Sequence, residues 1–358
     1  MPLPHIDQRV ALADKIRRHK SAVAEAVTDE FFARHPDWLT RFGPAGRARG
    51  VEDAGYHVEF LAGAVESGSV AAFQNYVRWT TKVLQTRGIQ PHFVAENLAQ
   101  VEQRLGAVLG AEDLAVVSAF ILAGRENSPE ESAVPNVSGA EGGLELTRQL
   151  FVQALLHAQR KAASTIALEA FRQGHAIPDI YADVIQNALY EVGFLWQTNR
   201  ITVAEEHMAT AIAQYVLAQL YPLLPLPDTS RGTVVVTGVE GELHQIGANM
   251  VSDVLEADGW RVHFLGTNTP HAGVLKIVEE TRAAALGVST TMLFNVPKVR
   301  RLIADARACF PARKLHVIVG GGAFCGAPTL PFEIGADSYA SDLRAAVALL
   351  RSSDIGGN

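Results

Sequence analysis

A histidine stands two residues after a carboxylate and three before a glycine in the stretch Gly238-Val-Glu-Gly-Glu242-Leu-His244-Gln-Ile-Gly247. That spacing has a chemistry. A neutral imidazole is a good transition-metal ligand, a nearby carboxylate accepts its second N–H and raises its basicity, and a glycine lets the next helix start approach a bulky ligand. The stretch is not GxGxxG, so the dinucleotide fingerprint fails. Two later segments offer ligand contacts. Ser289-Thr290-Thr291 carries hydroxyls for a base or phosphate, and Gly320-Gly321-Gly322 removes side chains from the path of a long ligand. Upstream, Trp196 is followed after nine residues by Glu206-His207, with Val203 between them. Thr202 and Glu205 read as a capping box opening a helix, so Glu205 has a structural duty while Glu206 and His207 have none.

The elements that must position these groups follow from periodicity. After a Pro-rich hinge at 224–232, short apolar runs at Thr233 to Thr237, Arg261 to Leu265, Ala285 to Val288, Leu315 to Val319 and Asp337 to Tyr339 alternate with amphipathic stretches. This predicts a five-stranded parallel α/β domain over 233–353, flavodoxin-like or Rossmann-like, which binds ligands beyond the carboxyl ends of its strands. His244, Ser289 to Thr291 and the glycine triplet all fall on that edge. Residues 144–223 show a helical period with breaks at Gly174 to Pro178 and Gln197 to Ile201, which fits four helices. A Ser-, Pro- and Gly-rich linker at 129–143 separates them from an all-helical segment, 1–128.

Composition narrows the class. The 358 residues are 48% hydrophobic, enough for a multidomain globule, and the net charge of −7 with no basic stripe argues against direct nucleic-acid binding. No long apolar span or signal segment is present, so a cytoplasmic chain without membrane association is expected. The two cysteines, Cys309 and Cys325, read as core thiols.

The pattern Glu242-x-His244-x-x-Gly247, Ser289-x-Thr291 and Gly320-Gly321 resembles the cobalamin-binding domains of methionine synthase, corrinoid proteins, mutases and B12 photoreceptors. The family motif has Asp where Glu242 stands. The resemblance implies base-off binding with His244 as axial cobalt ligand in place of the dimethylbenzimidazole. The Trp196, Val203, Glu206 and His207 set resembles the upper cap of adenosylcobalamin-dependent photoreceptors, which implies that these four residues enclose the adenosyl group. Gln197 departs from the light-regulated repressors, which have a second histidine there. The N-terminal segment, through Tyr56-His57, Tyr76, Arg78-Trp79 and Arg87, is similar to globin-like sensor segments and to photocobilins, which implies a bilin such as biliverdin. No cysteine precedes Cys309, so that bilin would be noncovalent.

Together these readings predict a light sensor, not an enzyme. Photolysis of the cobalt–carbon bond would rearrange the cap, change a homo-oligomer and signal to a separate partner. Arg78 and Arg87 would share a face if one helix ran through both. The rival expectations are a corrinoid methyl carrier for a methyltransferase, whose upper face must stay open to a partner, and a cobalamin store or chaperone. A further rival is a radical mutase subunit, which should come with a substrate barrel of about 250 residues that 128 helical ones cannot make.

Overall fold

The computed structural model describes residues 4–126, 143–227, 231–311, 314–325 and 327–352. Apart from Gly143, the expected linker lies outside them. The chain divides into two compact units, one built on the N-terminal helices and the other on the remaining helices and the sheet.

Six helices among the described residues make the first unit: α1 (Ile6–Arg18), α2 (Lys20–Arg34), α3 (Pro36–Ser67), α4 (Val70–Gln85), α5 (Pro91–Gly106) and α6 (Ala111–Arg125). Their apolar stripes close over Leu12, Ile16, Val58, Leu61, Phe73, Leu98, Val101, Phe120 and Ile121, all at most 3% exposed. α3 is bent at Gly43, whose φ of 63° and ψ of −165° leave the helical region, and Pro44 follows it. It ends at Gly68 with a φ of 67°, a left-handed cap that returns N–H groups to the last carbonyls. Ser69 then starts α4 by accepting a hydrogen bond from the Ala72 N–H.

The second unit begins with the expected four helices. These are α7 (Glu145–Leu156), α8 (Arg160–Arg172), a composite third helix and α11 (Val203–Leu220). The third opens as a turn, α9 (Ile177–Asp179), passes through a π-helical segment (Ile180–Gln186) and continues as α10 (Asn187–Gln197). Thr202 and Glu205 do form a capping box at the start of α11. Its hydroxyl accepts from the Glu205 N–H while the Glu205 carboxylate accepts from the Thr202 N–H.

The sheet follows as predicted. Its strands are β1 (Thr233–Gly238), β2 (Arg261–Phe264), β3 (Ala285–Ser289), β4 (His316–Gly320) and β5 (Ser338–Ala340), all parallel, in the order β2-β1-β3-β4-β5. Val234, Val235 and Val236 are buried in succession, as a strand covered on both faces requires. The helices between and after the strands are α12 (Ile246–Ala257), α13 (His271–Glu280), α14 (Val296–Cys309), α15 (Leu330–Glu333) and α16 (Leu343–Ser352). Bundle and sheet share one apolar core, in which Phe151, Ile180, Val216 and Leu220 join Met250, Leu255, Trp260, Leu343 and Leu350. Both segments lie within the second compact unit. Arg344 at the start of α16 adds ion pairs to Asp179 at 2.7 Å and Asp183 at 3.0 Å.

Cys309 and Cys325 are both exposed, which corrects the expectation of core thiols. Cys309 ends α14 and Cys325 follows the glycine-rich loop after β4, positions that the apolar stripes of neither element cover.

Candidate functional site

Strand register brings the sequence motifs to one line. Gly238 pairs with Ser289, Ser289 with Gly320 and Gly320 with Ala340, so the ends of β1, β3, β4 and β5 lie abreast. β1 lies between β2 and β3, which makes the β1/β3 boundary the place where the strand order reverses and a crevice opens. The loop bearing His244 leaves β1 on one side of that boundary, and Ser289 to Thr291 leave β3 on the other.

Glu242 is 0% exposed, and its carboxylate gathers donors from both loops. Oε1 accepts from His244 Nδ1 at 2.6 Å and from the backbone N–H groups of Leu243 and His244, each at 3.1 Å. Oε2 accepts from the N–H groups of Thr291 at 2.9 Å and Met292 at 3.2 Å and from Asn295 Nδ2 at 3.2 Å. Burial pushes this carboxyl upward, but the His244 ring and the surrounding N–H groups outweigh it and hold the pKa at about 2. Glu242 is thus an ionised acceptor.

Because that carboxylate can only accept, the neutral His244 ring carries its proton on Nδ1 and turns the Nε2 lone pair outward. The ring is 55% exposed in its side chain. Among the described residues no group of three or more His, Cys, Asp or Glu could cage a metal ion. The outward His244 imidazole could supply one nitrogen to the metal of a bound cofactor. Nothing lies within 4 Å of a Cβ placed on Gly247, so the start of α12 is open to a bulky group. Thr290 Oγ1 is buried at this edge without a hydrogen-bond partner. These residues fit a corrinoid.

At the end of β4 two glycines are also needed by the chain itself. A Cβ on Gly321, whose φ is 99°, would stand 2.4 Å from the Thr290 carbonyl oxygen, and one on Gly320 would stand 3.0 Å from the Ala340 oxygen. The chain's own backbone requires them. Gly322 has only ordinary contact distances, 3.5 Å to Thr291.

At the bundle hairpin Trp196 is half-buried near the end of α10, while Val203 is 53% exposed. Glu206 Oε2 accepts from His207 Nδ1 at 2.6 Å, and Oε1 accepts from the Thr210 hydroxyl at 3.0 Å. His207 itself is 75% exposed in its side chain.

In the N-terminal unit, His57 and Tyr76 are buried and joined by a 2.7 Å bond between Nδ1 and the phenol, with Phe60 stacked on Tyr76 at 3.9 Å. Burial lowers His57 to about 4, so the ring is neutral. Tyr56 and Trp79 face outward, at 44% and 39% exposed. Arg78 bonds Asn75, and Arg87 bonds the Val83 carbonyl. α4 ends at Gln85 and the chain turns at Gly88, φ 81°, so no single helix runs through Arg78 and Arg87. The condition for a shared helical face is not met.

Two models described as B12 binding domains match the chain, at residues 147–221 and 232–348. The chain is a cobalamin-binding protein. It is 27% identical over 199 residues to dimethylamine corrinoid protein 1 of Methanosarcina mazei, an overlap of 55% of this chain and 91% of that protein. A corrinoid protein of Desulfitobacterium hafniense is 26% identical over 204 residues, 55% of this chain and 92% of its own length. The monomethylamine corrinoid protein of Methanosarcina barkeri shares the fold, with a TM-score of 0.53 at 19% identity over 59% of this chain and all of that one.

Asn295, Lys298 and Asn268 escaped the sequence reading although all three brace the His244 loop. The only local signal was an Asn three residues before a Lys where α14 opens, and it says nothing of a partner 53 residues away.

Proposed function

We propose that the chain is a corrinoid protein that carries methyl groups for a methyltransferase, with His244 as the axial cobalt ligand. The observation behind it is the 2.6 Å bond from His244 Nδ1 to buried Glu242, which leaves Nε2 facing outward. Cobalamin bound there supplies a cobalt that can accept and release a methyl group. Glu242 holds the imidazole proton at Nδ1 and keeps the ligand basic, and the backbone around Thr290 and Gly321 shapes the edge where the corrinoid would lie. Its relatives named as dimethylamine corrinoid proteins favour this reading over light sensing. So does the hairpin, where Glu206 bonds His207 and Thr210 while Val203 and His207 face solvent, since a carrier must admit a partner on its upper side. In this reading the chain is a carrier, and catalysis belongs to the partner.

The test is to load the chain with hydroxocobalamin, reduce it without air and supply labelled methylamines or methanol with their methyltransferases. Label retained on the wild-type chain and lost in His244→Ala supports the carrier. No retention with any donor, together with a light-dependent change in elution volume after loading with adenosylcobalamin, overturns it.

That second outcome would favour the light sensor, whose specific support is Trp196 half-buried at the same hairpin as Glu206-His207. In that reading the homo-oligomer changes on illumination and acts on a separate signalling protein. Its biliverdin arm is supported only by the outward rings of Tyr56 and Trp79, and red absorbance on adding biliverdin decides it. No helix among the described residues is long and apolar enough to cross a membrane.

A further inference from the structure

A cavity of about 350 Å³ opens between the bundle and the last turns of α12 and α16. Phe171, Ile177 and Leu224 wall it on the bundle side, and Val254 and Val347 on the side of the sheet helices. It exceeds the ~150 Å³ at which an apolar cavity already admits benzene. One charged pair interrupts the apolar lining: Asp258, which follows the last residue of α12, and Arg351, in the last turn of α16. Gly247 at the ligand edge and Asp258 stand at opposite ends of α12, roughly 16 Å apart along its axis. The cavity is therefore separate from the edge that carries His244.

The charged pair is lopsided. The Asp258 side chain is 4% exposed and that of Arg351 is 58% exposed. Arg351 donates from Nε to Asp258 Oδ1 at 2.6 Å, and its Nη2 stands 2.5 Å from the same oxygen. A buried anchor thus fixes the planar guanidinium, and its third nitrogen, Nη1, keeps its two N–H groups for another acceptor. Arg231 brings a second guanidinium, which donates from Nε to the Asp258 carbonyl at 2.7 Å and lies 3.5 Å from Oδ2. Together the three side chains carry one net positive charge.

We propose that this cavity binds a small apolar monocarboxylate, with its hydrocarbon body against Phe171, Ile177, Val254 and Val347 and its carboxylate on Arg351 Nη1. The apolar walls reward hydrocarbon burial, and the anchored guanidinium rewards an anion through a charge-assisted hydrogen bond. A cationic head group would be repelled by the two arginines, and a neutral one would gain less from them. Because helices of the bundle and of the sheet both line the cavity, an occupant holds them together and raises the stability of this unit by mass action. The site takes no part in cobalt ligation, so its failure leaves the reading of His244 untouched.

The full-length chain, loaded with hydroxocobalamin, is titrated calorimetrically with octanoate, octanamide and octylammonium, three probes that share one hydrocarbon chain and differ in head-group charge. Octanoate should bind and raise the melting temperature, octanamide should bind roughly 10- to 100-fold more weakly, and octylammonium should not bind. Arg351→Met keeps much of the aliphatic stem and should bring octanoate down to the level of octanamide, with Arg351→Lys restoring part of the difference. Ala257→Phe, at a half-buried residue of the cavity wall, should fill the space and weaken both probes. Matched thermal melts separate lost binding from lost structure. If Arg351→Met does not fold, the three probes on wild type and Ala257→Phe still decide. Equal affinity for octanoate and octanamide on wild type overturns the carboxylate specificity. Octanoate binding unchanged in Ala257→Phe overturns the location, and absence of octanoate binding to wild type overturns the site.

Discussion

Tyr181 donates its hydroxyl proton to Asp253 Oδ2 at 2.8 Å, a buried bond that ties the π-helical segment of the bundle to α12 of the sheet. The helix that follows the His244 loop is thereby anchored to the bundle. A second bond, from the Tyr221 hydroxyl to Glu256 at 2.6 Å, repeats the tie one turn further along α12.

Tyr181→Phe should lower stability by about 1–3 kcal/mol, because the buried Asp253 oxygen loses its donor while the ring volume is kept. Chemical denaturation with tryptophan fluorescence measures this. A loss no larger than that of Tyr215→Phe, a tyrosine 39% exposed on α11, would mean that the bond is worth nothing.

The same pair should make stability pH-dependent. Burial raises Asp253 from 3.8 to about 6, with Glu256 nearby adding to the rise and the Tyr181 hydroxyl opposing it. A carboxyl raised in the folded state binds its proton more tightly there, so its contribution is full below the unfolded pKa and is lost as pH climbs through about 6. Asp253→Asn should therefore gain on wild type between acid and neutral pH, and thermal melts across that window should diverge. Parallel melting curves would dismiss the effect.

Glu242→Gln should act in the opposite sense. The carboxylate's pKa is depressed to about 2, so its stabilisation is present above the unfolded value of 4.5 and fades as pH falls toward 2. Near neutrality the variant should lose ~2–4 kcal/mol, an order-of-magnitude figure, and the gap should narrow on acidification. Cobinamide binding should weaken in the same variant, since an amide nitrogen would face the backbone donors.

Gly321→Ala should be worse than its size suggests. The residue has a φ of 99° and its new methyl would meet the Thr290 backbone, so a loss of at least ~1–3 kcal/mol is expected. Gly247→Ala, with nothing within 4 Å, should fold normally and lose only corrinoid affinity. Equal stability loss in the two variants would contradict this division.

Trp196→Ala separates the two functional readings. A residue that contacts an adenosyl group should weaken adenosylcobalamin binding while sparing hydroxocobalamin. Equal weakening of both assigns Trp196 to the bundle core. Calorimetric titration with each cobalamin distinguishes the outcomes.

Where local pattern controls structure, the sequence was legible. The valine run at β1 and its four companions announced the parallel sheet, and Thr202 with Glu205 announced the start of α11, because periodicity and capping are encoded within a few residues. His244 and Glu242 were legible for the same reason, being two residues apart. Asn295 and Lys298 were not, since they reach the site only through the β1/β3 adjacency that the fold creates. The alignment of Arg87 with Arg78 was not legible, since the helix through Arg78 ends at Gln85, before Arg87 is reached. The glycines at the end of β4 were legible by type, but the backbone that Gly321 meets at Thr290 and Gly320 meets at Ala340 is brought close only by strand adjacency.

The π-helical segment Ile180–Gln186 also sets a phase offset within one helix. Each residue added to or taken from a helix rotates everything beyond it by about 100° and advances it by about 1.5 Å. Asp179, Tyr181 and Asp183, which engage the sheet, lie before or within the wide turn, while Tyr190 and Trp196 lie after it. The two groups thus run in separate registers, and a single-residue deletion in the segment would leave the anchor in place while swinging the hairpin end away from its present bearing.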